Sequence, residues 1–178
     1  MRAILEAAER VLSANPAATI EHIAEAAGVA RTTIHRRFAT REALLDALAA
    51  WAAEQFHAAV DAAHPESTPP LVALYQVTAN VLRVKIGWKF AMSLTADANP
   101  TVAEVHANVL ARCADLLRRA RDAGLLHADV DLHWAFRAFH ALVDEVTHGG
   151  DADVNPDTLA TTIVHTLLHG IGTDAARL

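Results

Sequence analysis

Residues 19–38 read TIEHIAEAAGVARTTIHRRF, two helical runs parted by a single glycine, and this stretch restricts the possible folds more than any other. Ala24, Gly28 and Ile34 fall at a spacing with a physical reason. A small residue at 24 lets two helices approach, glycine at 28 opens the tight turn, and a branched residue at 34 plugs the gap from the second helix. Thr19 is placed to cap the first run, and Gly28 suits the left-handed position just past its end. The preceding run ILEAAERVL repeats Ile4, Ala8 and Val11, with Leu5 and Leu12 beside them, at the spacing of a helix with one buried face. SANPAAT ends that helix, because proline lacks the N–H a helix interior needs. Three short helices in a helix-turn-helix arrangement are therefore predicted.

The rest of the chain also reads as helix. Thr40 can cap a longer helix with Leu45, Leu48, Ala52, Phe56 and Ala59 on one side, closed by the linker-like HPESTPP. LVALYQVTANVLRVKIGW carries Leu71, Leu74, Thr78 and Val81 on one stripe, with Tyr75 and Leu82 beside it, and KFAMSLTADA reads as irregular. Asn99 and Pro100 start a helix that buries Val102, Val105, Val109, Cys113 and Leu116, sets Asn108, Arg112, Asp115, Arg119 and Asp122 on the opposite face, and ends at Gly124. Asp131 can cap LHWAFRAFHALVDEVTH, which stops at Gly149 and Gly150, and Asn155 with Pro156 starts the last helix. The sequence has no strand-like alternation, and its 53% hydrophobic content is mostly Ala, Leu and Val, of which Ala and Leu are the best helix formers. The expected fold class is all-α.

Charge is unevenly placed. The chain carries a formal net charge of -6, yet Arg31, Arg36, Arg37 and Arg41 lie in a stretch of eleven residues without an acid. Bases and acids balance from Met1 to Ala47, so the whole excess of acid lies beyond. An acidic body repels DNA at long range, and any DNA contact must be local and concentrated. The single cysteine, Cys113, cannot form an internal disulfide, and no run reaches the roughly 18 apolar residues of a membrane span. The expectation is a cytoplasmic protein with no membrane segment. Because the chain begins almost at its first helix, a basic N-terminal arm for the minor groove is not expected.

The runs ILEAAERVL, TIEHIAEAAGVARTTIHRRF and TREALLDAL resemble the tetracycline-repressor (TetR) family of bacterial one-component regulators, closely over about the first 48 residues. The resemblance implies an N-terminal three-helix helix-turn-helix DNA-binding domain, residues 1–47, joined to a helical ligand-binding and dimerisation domain, residues 48–178. It implies that Thr19, Thr33, His35 and Arg41 meet the DNA backbone, that Ala30, Arg31, Thr32 and Arg36 face base edges, and that Phe38 packs the recognition helix onto its domain. Two positions depart from the family pattern: 35 is usually tyrosine and is His here, and 32 is often glycine or another small residue and is Thr.

A helix-turn-helix dimer reads two half-sites about one DNA turn apart, which requires a second region to fix the spacing. The resemblance implies that the last two helices pair with their symmetry mates as a four-helix bundle. Their stripes are Leu132, Phe136, Phe139, Val143 and Val146, then Leu159, Ile163, Val164 and Leu167. The sequence leaves open whether these form the dimer face or internal core. The family also implies a ligand cavity, for which Tyr75, Trp88, Phe90, Met92, His106, Leu110 and Phe139 offer apolar bulk with a few polar tips. Ordinary core packing is the alternative for each of them.

The function expected is a transcriptional regulator, a ligand-released repressor that binds a palindromic operator as a homodimer. One alternative is a metal-responsive regulator of the same fold, since His140, Asp144 and His148 are spaced by four, as are His165 and His169. Eight residues of helix, however, separate the outer pair by about 12 Å, too far for one ion without other ligands. A second is a helical small-molecule-binding module without operator specificity. For an enzyme the usual signals are missing: the sequence has no G-x-S-x-G elbow, no phosphate-cradling glycine loop and no H-E-x-x-H. No catalytic residue, metal ligand or cofactor is assigned.

Overall fold

The computed structural model of the protein describes residues 1–94, 100–148 and 155–172, apart from the side chains of residues 101 and 148. The described residues form nine α-helices: α1 (Arg2–Ala14), α2 (Ile20–Ala26), α3 (Arg31–Arg37), α4 (Arg41–Asp61), α5 (Pro70–Gly87), α6 (Lys89–Ser93), α7 (Pro100–Asp122), α8 (Leu132–His148) and α9 (Pro156–Ile171). The fold is all-α, with an N-terminal helix-turn-helix ahead of a helical remainder. It packs as two compact units, Met1–Gln55 with Gly87–His106, and Phe56–Ile86 with Ala107–Leu178.

The first unit is built around the helix-turn-helix. Ile4, Leu5, Ala8 and Leu12 of α1 share a core with Ile23 and Ala24 of α2, Ile34 of α3, Phe38, and Leu44, Leu48 and Ala52 of α4. On α4 the inward stripe therefore runs through Leu44, and Leu45 is half-buried beside it. Thr19 caps α2 as expected: its hydroxyl accepts from His22 N at 3.5 Å, and its own N–H donates to His22 Nδ1 at 3.3 Å. The imidazole here takes the place that Glu or Gln fills in a capping box. Thr40 likewise accepts from Ala43 N at 3.1 Å at the start of α4.

Gly28 has φ +66, and a Cβ built on it would meet nothing within 4 Å. Its role is backbone conformation alone. Gly28→Ala is expected to lower stability by about 1–2 kcal/mol, the cost of a left-handed L-residue, read from the urea midpoint. An unchanged midpoint would contradict this role.

KFAMSLTADA was expected to be irregular, but Lys89–Ser93 is helical. The cause is distant in sequence. Glu9 of α1, only 5% exposed, accepts the N–H groups of Phe90 at 2.7 Å and Ala91 at 2.9 Å, and also the hydroxyl of Ser13 at 2.8 Å. Its carboxylate thus satisfies donors that open a short helix and places negative charge at the helix's positive end. Trp88, Phe90 and Met92 pack against the same core, and Trp88 meets Trp51 edge-on with ring centroids 6.5 Å apart. Asn99, expected to cap α7, lies outside the described residues.

In the second unit α5 buries Leu74, Val77, Thr78, Val81 and Leu82, with the Thr78 hydroxyl donating to Leu74 O at 2.6 Å. The outer face expected on α7 needs correction. Arg112 is ion-paired to Asp61 at 2.5 Å and to Glu66 at 2.7 Å, and Arg119 donates to the carbonyls of Pro65 and Thr68. The two arginines hold the α4–α5 connection, in which Ala63 and Pro65 are also buried. The hydrogen bond from Arg112, reinforced by the charges of Arg112 and Arg119, holds the Glu66 carboxyl below its ordinary value of 4.5. A carboxyl lowered by folding adds stability above its unfolded pKa, and that contribution is lost as pH falls through the folded value. Arg112→Gln should therefore flatten the decline of melting temperature on acidification below about pH 4.5; a decline of unchanged steepness would oppose this.

Asp131 caps α8 through His133 N at 2.9 Å, and Asn155 caps α9 through Asp157 N at 2.8 Å. Phe139 and Val143 of α8 and Ile163, Val164 and Leu167 of α9 are buried within the single chain. These five are internal core of the chain, whereas Leu132, Phe136, Val146 and Leu159 of the same stripes are half-buried. What α9 turns outward is Thr158, Thr161, Thr162, His165, Thr166 and His169, and α8 exposes Trp134, at 54%, with Arg137, Ala141 and Glu145.

Candidate nucleic-acid interface

The α2–α3 corner is set by three buried side chains. Ile23 and Ile34 are fully buried and Ala24 is 4% exposed. The turn closes through Gly28 N to Glu25 O and Val29 N to Ala24 O, both at 3.0 Å. With Ile34 directed into the core and Phe38 buried just past the helix, the other face of α3 must point out. Arg31, Thr32, His35, Arg36 and Arg37 are exposed, Thr33 is half-buried, and Ala30 sits exposed at the N-cap position.

Of the residues expected to meet DNA, Thr19, Arg31, His35 and Arg41 line one shallow concave surface together with Pro16, Ala17, Ala18, Ile20 and Glu21. Thr32, Thr33 and Arg36 lie on α3, and Ala30 at its N-cap. Two of the arginines have partners within the chain. Arg41 donates to Ala18 O at 2.5 Å and to Pro16 O at 2.8 Å, so it fixes the loop that leads into α2. Arg31 Nη1 lies 2.6 Å from Glu21 Oε1, and its Nε donates to His35 Nε2 at 3.0 Å. Glu21 was not singled out from the sequence, because nothing local marks an acid in the first turn of one helix as the partner of an arginine in the first turn of the next.

A different kind of site occupies the second unit. α5, α7 and α8, with Phe56, enclose a narrow cavity of about 30 Å³ whose walls include Val77, Val81, Val109, Phe136 and Val143. Leu110 and Phe139 are on it. Tyr75, Trp88, Phe90, Met92 and His106 are not, and Trp88, Phe90 and Met92 belong to the packing of the first unit. The polar groups of its lining are Lys85 and His140, which both pair with Asp144, at 2.5 Å and 3.0 Å. Cys113 also lines it, and burial pushes its thiol up to about 11, so it is protonated and inert near neutrality.

His165 and His169 place their rings 4.7 Å apart, with His169 Nδ1 2.8 Å from His165 O. Among the described residues no three His, Cys, Asp or Glu side chains converge as metal ligands, and the side chain of His148 lies outside them. No described helix is long and apolar enough to cross a membrane.

The model of the bacterial regulatory proteins of the TetR family matches residues 4–48, the stretch that carries this interface. Over 81 residues the chain is 44% identical to the HTH-type transcriptional repressor LfrR of Mycolicibacterium smegmatis, a match that spans 46% of this chain and 43% of that one. Two solved structures extend the likeness over nearly the whole chain. The TetR family transcriptional regulator PfmR from Thermus thermophilus aligns at TM-score 0.80 and 20% identity over 93% of this chain and 97% of its own, a likeness of fold. The TetR-like transcriptional regulator LfrR from Mycobacterium smegmatis in complex with proflavine aligns at TM-score 0.70 and 30% identity, covering 97% of this chain and 96% of its own. With the helix-turn-helix, its exposed basic second helix and this chain-long likeness together, the protein belongs to the TetR family of bacterial transcriptional regulators.

Proposed function

We propose that the protein is a repressor that binds a palindromic operator as a homodimer and is released by a small-molecule effector. The observation that carries this reading is α3: an acid-free basic face, exposed along its length, on a helix locked from behind by Ile34 and Phe38. In this reading Ala30, Arg31, Thr32 and Arg36 face base edges, because arginine can bind guanine bidentately and threonine can reach a base or the backbone. Thr19, Thr33, His35 and Arg41 meet phosphates. Residues 1–47 form the DNA-binding domain and residues 48–178 the effector and dimer domain, the protein acting in the cytoplasm where the operator is. The exposed faces of α8 and α9 supply the self-complementary surface that a two-fold dimer requires.

The effector site is the cavity lined by Leu110 and Phe139. At about 30 Å³ it falls far short of the roughly 300–1,000 Å³ of a formed ligand pocket. An effector must therefore spread α5, α7 and α8, and the conformer it prefers is one whose two recognition helices no longer match successive major grooves. Repression is supported by the name of the relative LfrR, and a small-molecule effector by the structure of LfrR that holds proflavine.

Fluorescence anisotropy on labelled duplex from upstream of the protein's own gene, challenged with unlabelled random DNA at two salt concentrations, tests the reading. Binding that resists competitor and weakens with salt is the expected result. Binding lost entirely to random competitor on this and on every other duplex tried would favour a helical module without operator specificity.

A further inference from the structure

We propose that Glu21 is a positioning residue that sets the orientation of Arg31 for base readout. This rests on the reading of α3 as the recognition helix. Glu21 lies in the first turn of α2 and Arg31 in the first turn of α3, so the turn at Gly28 brings two residues ten apart in sequence to 2.6 Å. Arg31 is gripped from two sides, Nη1 by the Glu21 carboxylate and Nε by His35 Nε2. Each grip uses a different nitrogen. Nη2 and one hydrogen of Nη1 are left, donors with which a guanidinium can take guanine O6 and N7.

The pair is not a stability device. Both side chains are largely exposed, 61% for Arg31 and 48% for Glu21, and exposed ion pairs contribute little. Its effect is on freedom. A free arginine side chain surrenders much rotamer entropy when it is immobilised on a base, and a guanidinium already held in place surrenders less. Glu21 also remains a carboxylate at any working pH, because its own backbone N–H, the Thr19 hydroxyl and the charge of Arg31 hold its pKa below the ordinary value. A negative charge beside DNA phosphates disfavours every duplex alike. Glu21 therefore lowers general affinity while sharpening one contact, and removing its charge separates the two effects.

The test uses duplexes enriched from a random pool by the wild-type chain, re-bound by variants and counted for preference at each base pair. Arg31→Ala first marks the base pair that Arg31 reads by erasing preference there. Glu21→Gln should lower preference at that same base pair about 3- to 10-fold, leave the other positions unchanged, and leave binding to random DNA equal or tighter. In an Arg31→Ala background Glu21→Gln should then change no preference. If Arg31→Ala erases the preference and Glu21→Gln keeps it, or weakens all positions equally, the positioning role is wrong while the recognition helix stands. If Arg31→Ala alters no position, the base-reading role of Arg31 fails and the positioning role fails with it. Both sites are exposed, and matching thermal melts confirm that folding is not the cause.

Discussion

Arg36→Ala is expected to weaken binding to the selected operator about 10- to 100-fold, the range for one good arginine–base contact. Arg36 lies on the exposed face of α3, one turn beyond Thr32, and makes no ion pair with any described residue. All of its guanidinium donors are available to DNA, whereas Arg31 and Arg41 already spend some of theirs within the chain. For the same reason the substitution should leave stability within about 0.5 kcal/mol, as for ordinary surface changes. Anisotropy titrations and a thermal melt on the same samples check both halves. A loss confined to sequences that differ at one base pair indicates base readout, whereas a uniform loss with a smaller salt slope indicates a phosphate contact. Unchanged affinity removes Arg36 from the interface.

The second large effect concerns folding. Glu9→Ala strips the partner from the N–H groups of Phe90 and Ala91 and from the Ser13 hydroxyl, around a carboxylate that is 5% exposed. Buried donors left without an acceptor are costly, and bonds to a charged group cost more to lose than neutral ones. The expected loss is about 2–4 kcal/mol, which for a chain of this size lowers the melting temperature by roughly 5–15 °C. Glu9→Gln keeps one acceptor oxygen and should fall between. A Glu9→Ala melt indistinguishable from wild type would mean that α6 holds its place without the cap.

Much of the helix-turn-helix was legible in the sequence because its determinants are local. Thr19, Gly28 and Ile34 act within ten or so residues of the elements they cap, turn and pack, so residue type and spacing suffice to place them. Helical periodicity served equally well for α5, α8 and α9. What periodicity could not supply was the partner of each stripe. Phe139, Val143, Ile163 and Leu167 repeat as either a dimer seam or a core would, and only their burial within one chain assigns them to the core. The least legible features were those joined across sequence. The helix Lys89–Ser93 depends on a carboxylate 80 residues earlier, and the connection 62–69 depends on Arg112 and Arg119, which helical position alone placed in solvent. The candidate pocket residues divide between the units for a related reason: aromatic and polar tips along a sequence do not reveal that Trp88 and Phe90 pack in one unit and Phe139 in the other.

The central claim is that α3 reads a DNA sequence, and selection from a pool of randomised double-stranded DNA by the 178-residue chain tests it most directly. The account predicts that successive rounds enrich an inverted repeat whose half-sites lie about one helical turn apart, and that Arg36→Ala relaxes one position of each half-site. A pool that remains random through repeated rounds, bound by wild type and variant alike, would contradict it.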